Sequence, residues 1–228
     1  MEKEIERQFA AVKKMVISDY PYPFEFKAEW IDLFKGVYLD VKRQHALIKN
    51  AYYRHQDENG KWVGDICLNY IDHYVILGFR YAHALYKAGF IEAADAVYYS
   101  YRVRGCLDLF YRAEIGDCFM PVHAIGADTD SKAKMGKGFR IYDKVKIGPY
   151  EIAGLNPSEW VHPSFGDYVT ILANCSIYGN TTIGNNVIVA SGTTIINEEI
   201  PDDCIVMGSS PNLFCKPMRT NNKDDFEI

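Results

Sequence analysis

From Pro163 to Cys204, apolar residues recur every six positions: Phe165, Ile171, Ile177, Ile183, Val189 and Ile195. Two residues ahead of five of them stand Val169, Cys175, Thr181, Val187 and Thr193, all small or β-branched. Turn formers such as Gly166-Asp167, Gly179-Asn180 and Gly184-Asn185-Asn186 fall between them. A period of six fits neither a helix nor an alternating strand. It fits a β-solenoid of triangular cross-section, in which six residues make one flat side and the recurring aliphatic residue points inward. One such coil cannot bury its inner face alone, so its neighbours must stack on it. The six-step also runs through Thr129, Met135, Ile141 and Ile147, with Ala127, Ala133, Phe139 and Val145 two residues earlier. Between the two runs, Gly148 to Trp160 leaves the pattern and is expected to bulge out as a long loop, the kind of segment that carries function.

The first half follows another rhythm. Glu2 to Ile17 reads as an amphipathic helix broken by Tyr20-Pro-Tyr-Pro23. Ala28 to Asn50 and Tyr70 to Ala88 carry apolar residues at helical spacing, with Gly89 as a C-cap, and Phe90 to Val103 looks like one more helix. Residues 57–64 read as a loop. The expected class is α+β: an all-α domain over residues 1–106, a parallel β-helix over 107–214 and a flexible polar tail over 215–228. Many of the 17 tyrosines fall in the first half and are expected to be packing residues.

Composition narrows the function. The 228 residues carry a net charge of −5, with 48% hydrophobic and 24% charged residues, as in an ordinary soluble protein. An acidic balance argues against nucleic acid as the main partner. No apolar stretch approaches the roughly 18 residues of a membrane span, and the charged start offers no signal-peptide core. The six cysteines show no CxxC spacing. A reducing, cytoplasmic setting is the expectation.

Only two histidines lie in the repeat region, His123 and His162. Six residues back from Thr129 lands on His123, so imidazole is expected in a slot the pattern gives to an aliphatic residue. His162 follows the long loop in Val161-His-Pro163. A prism that holds zinc needs three histidine ligands per site, and two speak against it; no metal is expected.

The stretch from Leu107 to Lys216 resembles the serine O-acetyltransferase family, hexapeptide-repeat enzymes that open cysteine synthesis. The resemblance rests on Leu107-Asp-Leu-Phe-Tyr-Arg-Ala-Glu-Ile-Gly116, Met120-Pro-Val-His-Ala-Ile-Gly126, Val161-His-Pro163, Ile195-Ile-Asn-Glu-Glu-Ile-Pro201 and Val206-Met-Gly208. It extends upstream to Phe79-Arg-Tyr-Ala-His-Ala-Leu-Tyr-Lys-Ala-Gly89, similar to the family's helical Arg-x-x-His segment, with Arg80 lying 28 residues before Asp108.

The resemblance implies a left-handed β-helix that moves acetyl from acetyl-CoA to a small hydroxylated acceptor, serine foremost, without a covalent intermediate. It makes His123 the general base and Asp108 its carboxylate partner, and it sets His162 across the site to hold the acceptor. Asp57 would bind the acceptor from the helical half, with Glu58 and Asp65 as neighbouring alternatives. Gly148, Ala173 and Ser191 would face the acetyl-CoA groove. It further implies a homotrimer or a dimer of trimers, and docking of the terminal Ile228 into cysteine synthase. Two positions depart from the family: Val122 stands where an acidic residue precedes the first histidine, and Val161 where an arginine precedes the second. That arginine would pair with the amino acid's carboxylate, a fork an apolar group does not replace. A sugar or amino-sugar acetyltransferase on the same prism is the alternative.

Overall fold

A computed structural model describes residues 2–150 and 156–228. The chain divides into two compact units, Met1–Cys106 and Leu107–Ile228.

The first unit is built on α1 (Glu2–Asp19), α2 (Trp30–Leu47), α3 (Ile71–Lys87) and α4 (Ile91–Gly105). In α1 the buried residues Ile5, Phe9, Val12 and Val16 form one stripe at three- and four-residue spacing. Phe34 of α2 meets both Phe9 of α1 (ring centroids 5.3 Å apart) and Tyr81 of α3 (5.2 Å). Tyr38, Tyr74, Tyr81 and Tyr101 are fully buried, so these tyrosines are core, as their helical spacing suggested.

Residues 57–64 are not simply a loop. β1 (Arg54–Gln56) and β2 (Trp62–Gly64) pair antiparallel, leaving only the tip irregular. Gly64 lets this hairpin lie on α2, since a Cβ there would stand 1.9 Å from the Lys42 carbonyl oxygen. The strands are too short for an alternating pattern to register, which is why the turn chemistry of Asp57 to Gly60 dominated the reading.

Below the hairpin lie two buried histidines. His45 donates from Nδ1 to the Asp65 carbonyl at 2.5 Å, and His73 accepts at Nδ1 from the Cys67 amide at 3.0 Å. Burial pushes the His45 pKa down to about 3 and the His73 pKa to about 4. Unfolded, both histidines bind a proton near the ordinary pKa of ~6.5, whereas the native state refuses it until far lower pH. Their contribution to stability is therefore full above pH 6.5 and is lost as pH falls towards 4. At pH 5 each should cost up to about 2 kcal/mol. Chemical denaturation of the whole chain at pH 7 and pH 5, followed by helical ellipticity, checks this; equal midpoints would contradict it.

The second unit is the solenoid, with three sides of five parallel strands each. The first side comprises Asp108–Leu109, Asp128–Thr129, Lys146–Gly148, Ser176–Tyr178 and Thr194–Ile196. The second runs through Glu114–Ile115, Lys134–Met135, Ser164–Phe165, Thr182–Ile183 and Glu199–Ile200. The third runs through Met120–Pro121, Arg140–Ile141, Thr170–Ile171, Ile188–Val189 and Cys204–Ser209. In the regular coils each strand pairs with the one 18 residues on, as in Ile177 with Ile195. The inward rows are buried as the period required: Ile141, Ile171, Ile177, Val189 and Ile195 are each 0% exposed. The residues two positions earlier, including Ala133, Val145, Val169, Cys175 and Val187, are buried with them.

One slot differs from the expectation. His123 does not point into the prism. Pro121 pairs with Ile141 and Thr129 with Leu109 and Ile147, so Pro121 and Thr129 are successive inward residues, eight positions apart. The corner between them is two residues longer than its counterparts, and His123 stands exposed in it with φ 47°.

The end of the chain is also more ordered than its polarity suggested. Asn212–Pro217 pairs antiparallel with Cys204–Ser209, and a short 3-10 turn follows at Asn222–Asp225. Asn222 donates from Nδ2 to the Tyr168 carbonyl and from its amide to Asn186 Oδ1, both at 2.8 Å. Asp225 takes Arg140 Nη2 at 2.7 Å. Phe226, 3% exposed, packs 5.6 Å from the Tyr168 ring. Gly138, at φ +66°, leaves it room, since a Cβ there would come within 2.7 Å of Tyr168 and 3.1 Å of Phe226. Ile228 is exposed. One aromatic anchor among polar residues produces no period, so the sequence reads as disordered. Phe226→Ala should release residues after Met218, seen as faster proteolysis of the tail with the melting temperature of the prism nearly unchanged. Equal cleavage rates would show that Phe226 does not hold it.

Among the described residues no helix is long and apolar enough to cross a membrane.

Candidate functional site

The chemistry-bearing residues collect along the first side of the solenoid and at its two edges. Corners are where side chains can vary, because inward positions are committed to the core.

At the edge where the third side turns into the first, His123 is followed by Ala124, Ile125 and Gly126, with Gly126 at φ +74°. The Val122 amide donates to the Ile141 carbonyl at 2.8 Å and the Lys144 amide to that of Ile125 at 3.0 Å, fixing this longer turn between coils. Ala173 and Ser191 occupy the same edge two and three coils further on, and the Gly192 amide donates to the Ala173 carbonyl at 3.0 Å. Gly148 lies apart from them, at the opposite end of the first side, paired with Tyr178. The three residues assigned to a cofactor groove thus divide between two edges.

At that opposite edge the structure brings together a pair the sequence did not suggest. His162 Nδ1 is hydrogen-bonded to Asp130 Oδ2, with the two side chains only 15% and 7% exposed. Asp130 is itself fixed, its Oδ1 accepting from the Lys132 amide at 3.1 Å in a short side-chain turn. Nε2 of His162 is buried without a hydrogen-bond partner, as is Trp160 Nε1 two residues earlier. A carboxylate on the far ring nitrogen fixes the tautomer, leaving Nε2 a bare lone pair able to accept a proton or a hydroxyl hydrogen bond. Coil arithmetic could have found this pair. Phe165 pairs with Met135, so His162, three residues earlier, falls over the corner that holds Asp130.

Along the first side itself, Asp108, Asp128 and Lys146 are successive partners in register, each just ahead of an inward residue and therefore outward-facing. Asp108 thus sits beside Asp128, on the side into which the His123 corner leads. Lys146 Nζ lies 3.7 Å from Asp128 Oδ2, both side chains about half exposed. Asp128, Asp130, Lys146, Gly148, Trp160 and Tyr178 line a cavity of about 290 Å³. Residues 151–155 of the expected loop lie outside the described residues; Asn156 to Glu159 form a capped 3-10 turn, with the Asn156 amide donating to Glu159. Val161 is 51% exposed.

In the helical unit, Asp57 serves the hairpin tip: its Oδ1 accepts from the Asn59 and Lys61 amides, both at 2.9 Å. Asp65 rather than Asp57 lines a cavity of that unit, of about 450 Å³, together with Tyr52, Cys67, Tyr70 and His73. Among the described residues no group of three His, Cys, Asp or Glu side chains is arranged to hold a metal ion.

A three-sided parallel solenoid is the shape that a six-residue repeat builds. The family model "Bacterial transferase hexapeptide (six repeats)" matches residues 162–197. The curated proteins and solved structures that this chain resembles include serine acetyltransferases. It is 24% identical over 198 residues to serine acetyltransferase 2 of Arabidopsis thaliana, a match covering 84% of this chain and 58% of that one. This chain therefore aligns with little more than half of that relative. In fold it resembles the serine acetyltransferase of Vibrio cholerae, with a TM-score of 0.67 and 19% identity over 86% of this chain and 73% of that one. It also resembles a soybean serine acetyltransferase complexed with serine, with a TM-score of 0.57 and 27% identity over 64% and 58% of the two chains.

The Asp130–His162 pair can be tested without any substrate. Asp130→Ala leaves a buried ring nitrogen without its partner and should destabilise the prism by about 1–3 kcal/mol. Trp160 is the only tryptophan beyond residue 106, so in a background with Trp30 and Trp62 replaced by Phe the red shift of its fluorescence in denaturant reports this unit. An unchanged midpoint would mean the pair does not persist in solution.

Proposed function

We propose that this protein is an acetyl-CoA-dependent O-acetyltransferase acting on a small hydroxylated acceptor, with serine the favoured one. The observation that carries the reading is His162, clamped by Asp130 with Nε2 buried and unpartnered, on a prism whose relatives are serine acetyltransferases.

The reaction requires the acceptor hydroxyl to lose its proton as oxygen attacks the thioester carbonyl. A neutral imidazole suits that step, since it accepts a proton readily at neutral pH and gives it back. His123 is assigned as the base, with Asp108 as its carboxylate partner. The tetrahedral intermediate then expels the CoA thiolate, which takes the proton back from the imidazolium. Acetyl ends on oxygen, and free thiol and ester are the products. His162 orients the acceptor hydroxyl through Nε2. Ala173 and Ser191, on the edge that carries His123, are assigned to the acetyl-CoA groove.

His123 and His162 occupy opposite edges of one side, which at about five residues spans roughly 15 Å. One small substrate does not bridge that distance. The site is therefore assigned to a boundary between copies of the chain, a trimer or a dimer of trimers, where the His123 edge of one copy meets the His162 edge of the next.

Thiol release from acetyl-CoA, followed with serine, homoserine and amino sugars in turn, tests this. Serine should give saturable release. His123→Ala should lower kcat by about 10²–10⁴-fold, the usual scale of general-base catalysis. Undiminished turnover in that variant would remove His123 from the mechanism. Saturable release with sugars and none with serine would establish the sugar-acetyltransferase reading, which the exposed Val161 favours.

A further inference from the structure

Beside the Asp130–His162 pair lies an ion pair that neither the repeat nor the family resemblance assigns. Lys146 and Asp128 stand 3.7 Å apart on the outer face of the first side, and both line the cavity that contains Asp130 and Trp160. Resting on the acetyl-transfer reading, we propose that Lys146 and Asp128 are the acceptor-selecting residues: they recognise a zwitterionic amino acid, Lys146 taking its α-carboxylate and Asp128 its α-ammonium.

Three features lead there. The first is charge. A half-exposed pair at this separation is worth little to the fold and opens readily. A ligand carrying both charges can meet Lys146 and Asp128 together with no net charge added to the cavity. A neutral sugar would offer neither group a partner.

The second is geometry. Asp128 and Asp130 flank the inward Thr129, so the zwitterion site on the strand and the clamp on His162 at the corner after it are two residues apart. An amino acid held by its α-groups at Lys146 and Asp128 extends its hydroxylated side chain towards Asp130, which lines the same cavity and holds His162. The cavity of about 290 Å³ suits a small acceptor and lies at the lower limit for drug-sized ligands.

The third is the chain's own departure from the family pattern. An apolar, exposed Val161 stands where an arginine would meet the acceptor's carboxylate, so a cation must come from elsewhere if an amino acid is bound. Lys146 is a cation of this cavity, and it reaches in from the flat side instead of the corner.

Two measurements on the full-length protein test the assignment. The first is serine binding by calorimetry without acetyl-CoA; the second is steady-state thiol release with serine and with serinamide, which lacks the carboxylate. The wild type should prefer serine to serinamide. Lys146→Met should weaken serine binding and raise its KM by about tenfold to a hundredfold, the range of one charge-assisted contact, with kcat changed far less. It should also erase the preference over serinamide, and Lys146→Arg should restore it in large part. Asp128→Asn should weaken serine and serinamide alike, since both keep the ammonium. If serine turns over normally in Lys146→Met with its preference intact, the assignment is wrong while the acetyl-transfer reading stands. If serine binds in a Lys146-dependent way but no thiol is released, the zwitterion site stands and the transfer reading fails. If serine neither binds nor reacts, the zwitterion site is overturned.

Discussion

The parallel pairing of each strand with the one a full coil further on is the constraint from which the solenoid follows. Every coil takes its hydrogen-bond partners, and part of its core, from its neighbours. Inward positions such as Ile141, Ile171 and Val189 are therefore held to side chains that stack on the coils above and below, with an occasional threonine as at Thr129. A side chain that broke this row would disrupt the coil above and the coil below. Function is consequently pushed to the two places the row leaves open: outward positions on the flat sides, and corners.

Corners also tolerate changes of length. The corner after Pro121 holds two extra residues and the segment after Gly148 holds twelve beyond the period, yet the strands on either side stay in register: Leu109 with Thr129, and Met135 with Phe165. Each insertion brings a histidine. His123 stands within the first and His162 closes the second. The prism thereby presents two imidazoles at opposite edges of one side without altering its core, and the His162 imidazole meets a carboxylate already fixed by its own turn.

How much of this the sequence disclosed depends on whether the responsible contact is periodic. The inward row was legible because six-residue spacing leaves a regular trace, and so were the helices around Phe9, Phe34 and Tyr81. The phase of His123 is hidden in the sequence because counting back from Thr129 assumes a corner of standard length, and only strand pairing reveals the longer one. Asp130 was overlooked because its partner is 32 residues away across an aperiodic loop. The hairpin of β1 and β2 and the docked Phe226 were hidden for the same reason: short strands, single anchors and polar side-chain bonds leave no period. Residue identity found His162, and coil geometry was needed to find what holds it.

The outward row of the first side shows what such a scaffold permits. Asp108, Asp128 and Lys146 each precede an inward residue, so their charge can change while Leu109, Thr129 and Ile147 keep the core intact. Two carboxylates side by side repel, and the ammonium on the next strand offsets that repulsion through its contact with Asp128. An apolar corner residue, as at Val161, therefore does not leave the neighbouring side without charge. A charge can stand one position from the core on an adjacent flat side, at almost no cost to the fold. Surface charge and stability of the prism are thus carried by alternating residues of the same strands, and each is free to change without the other.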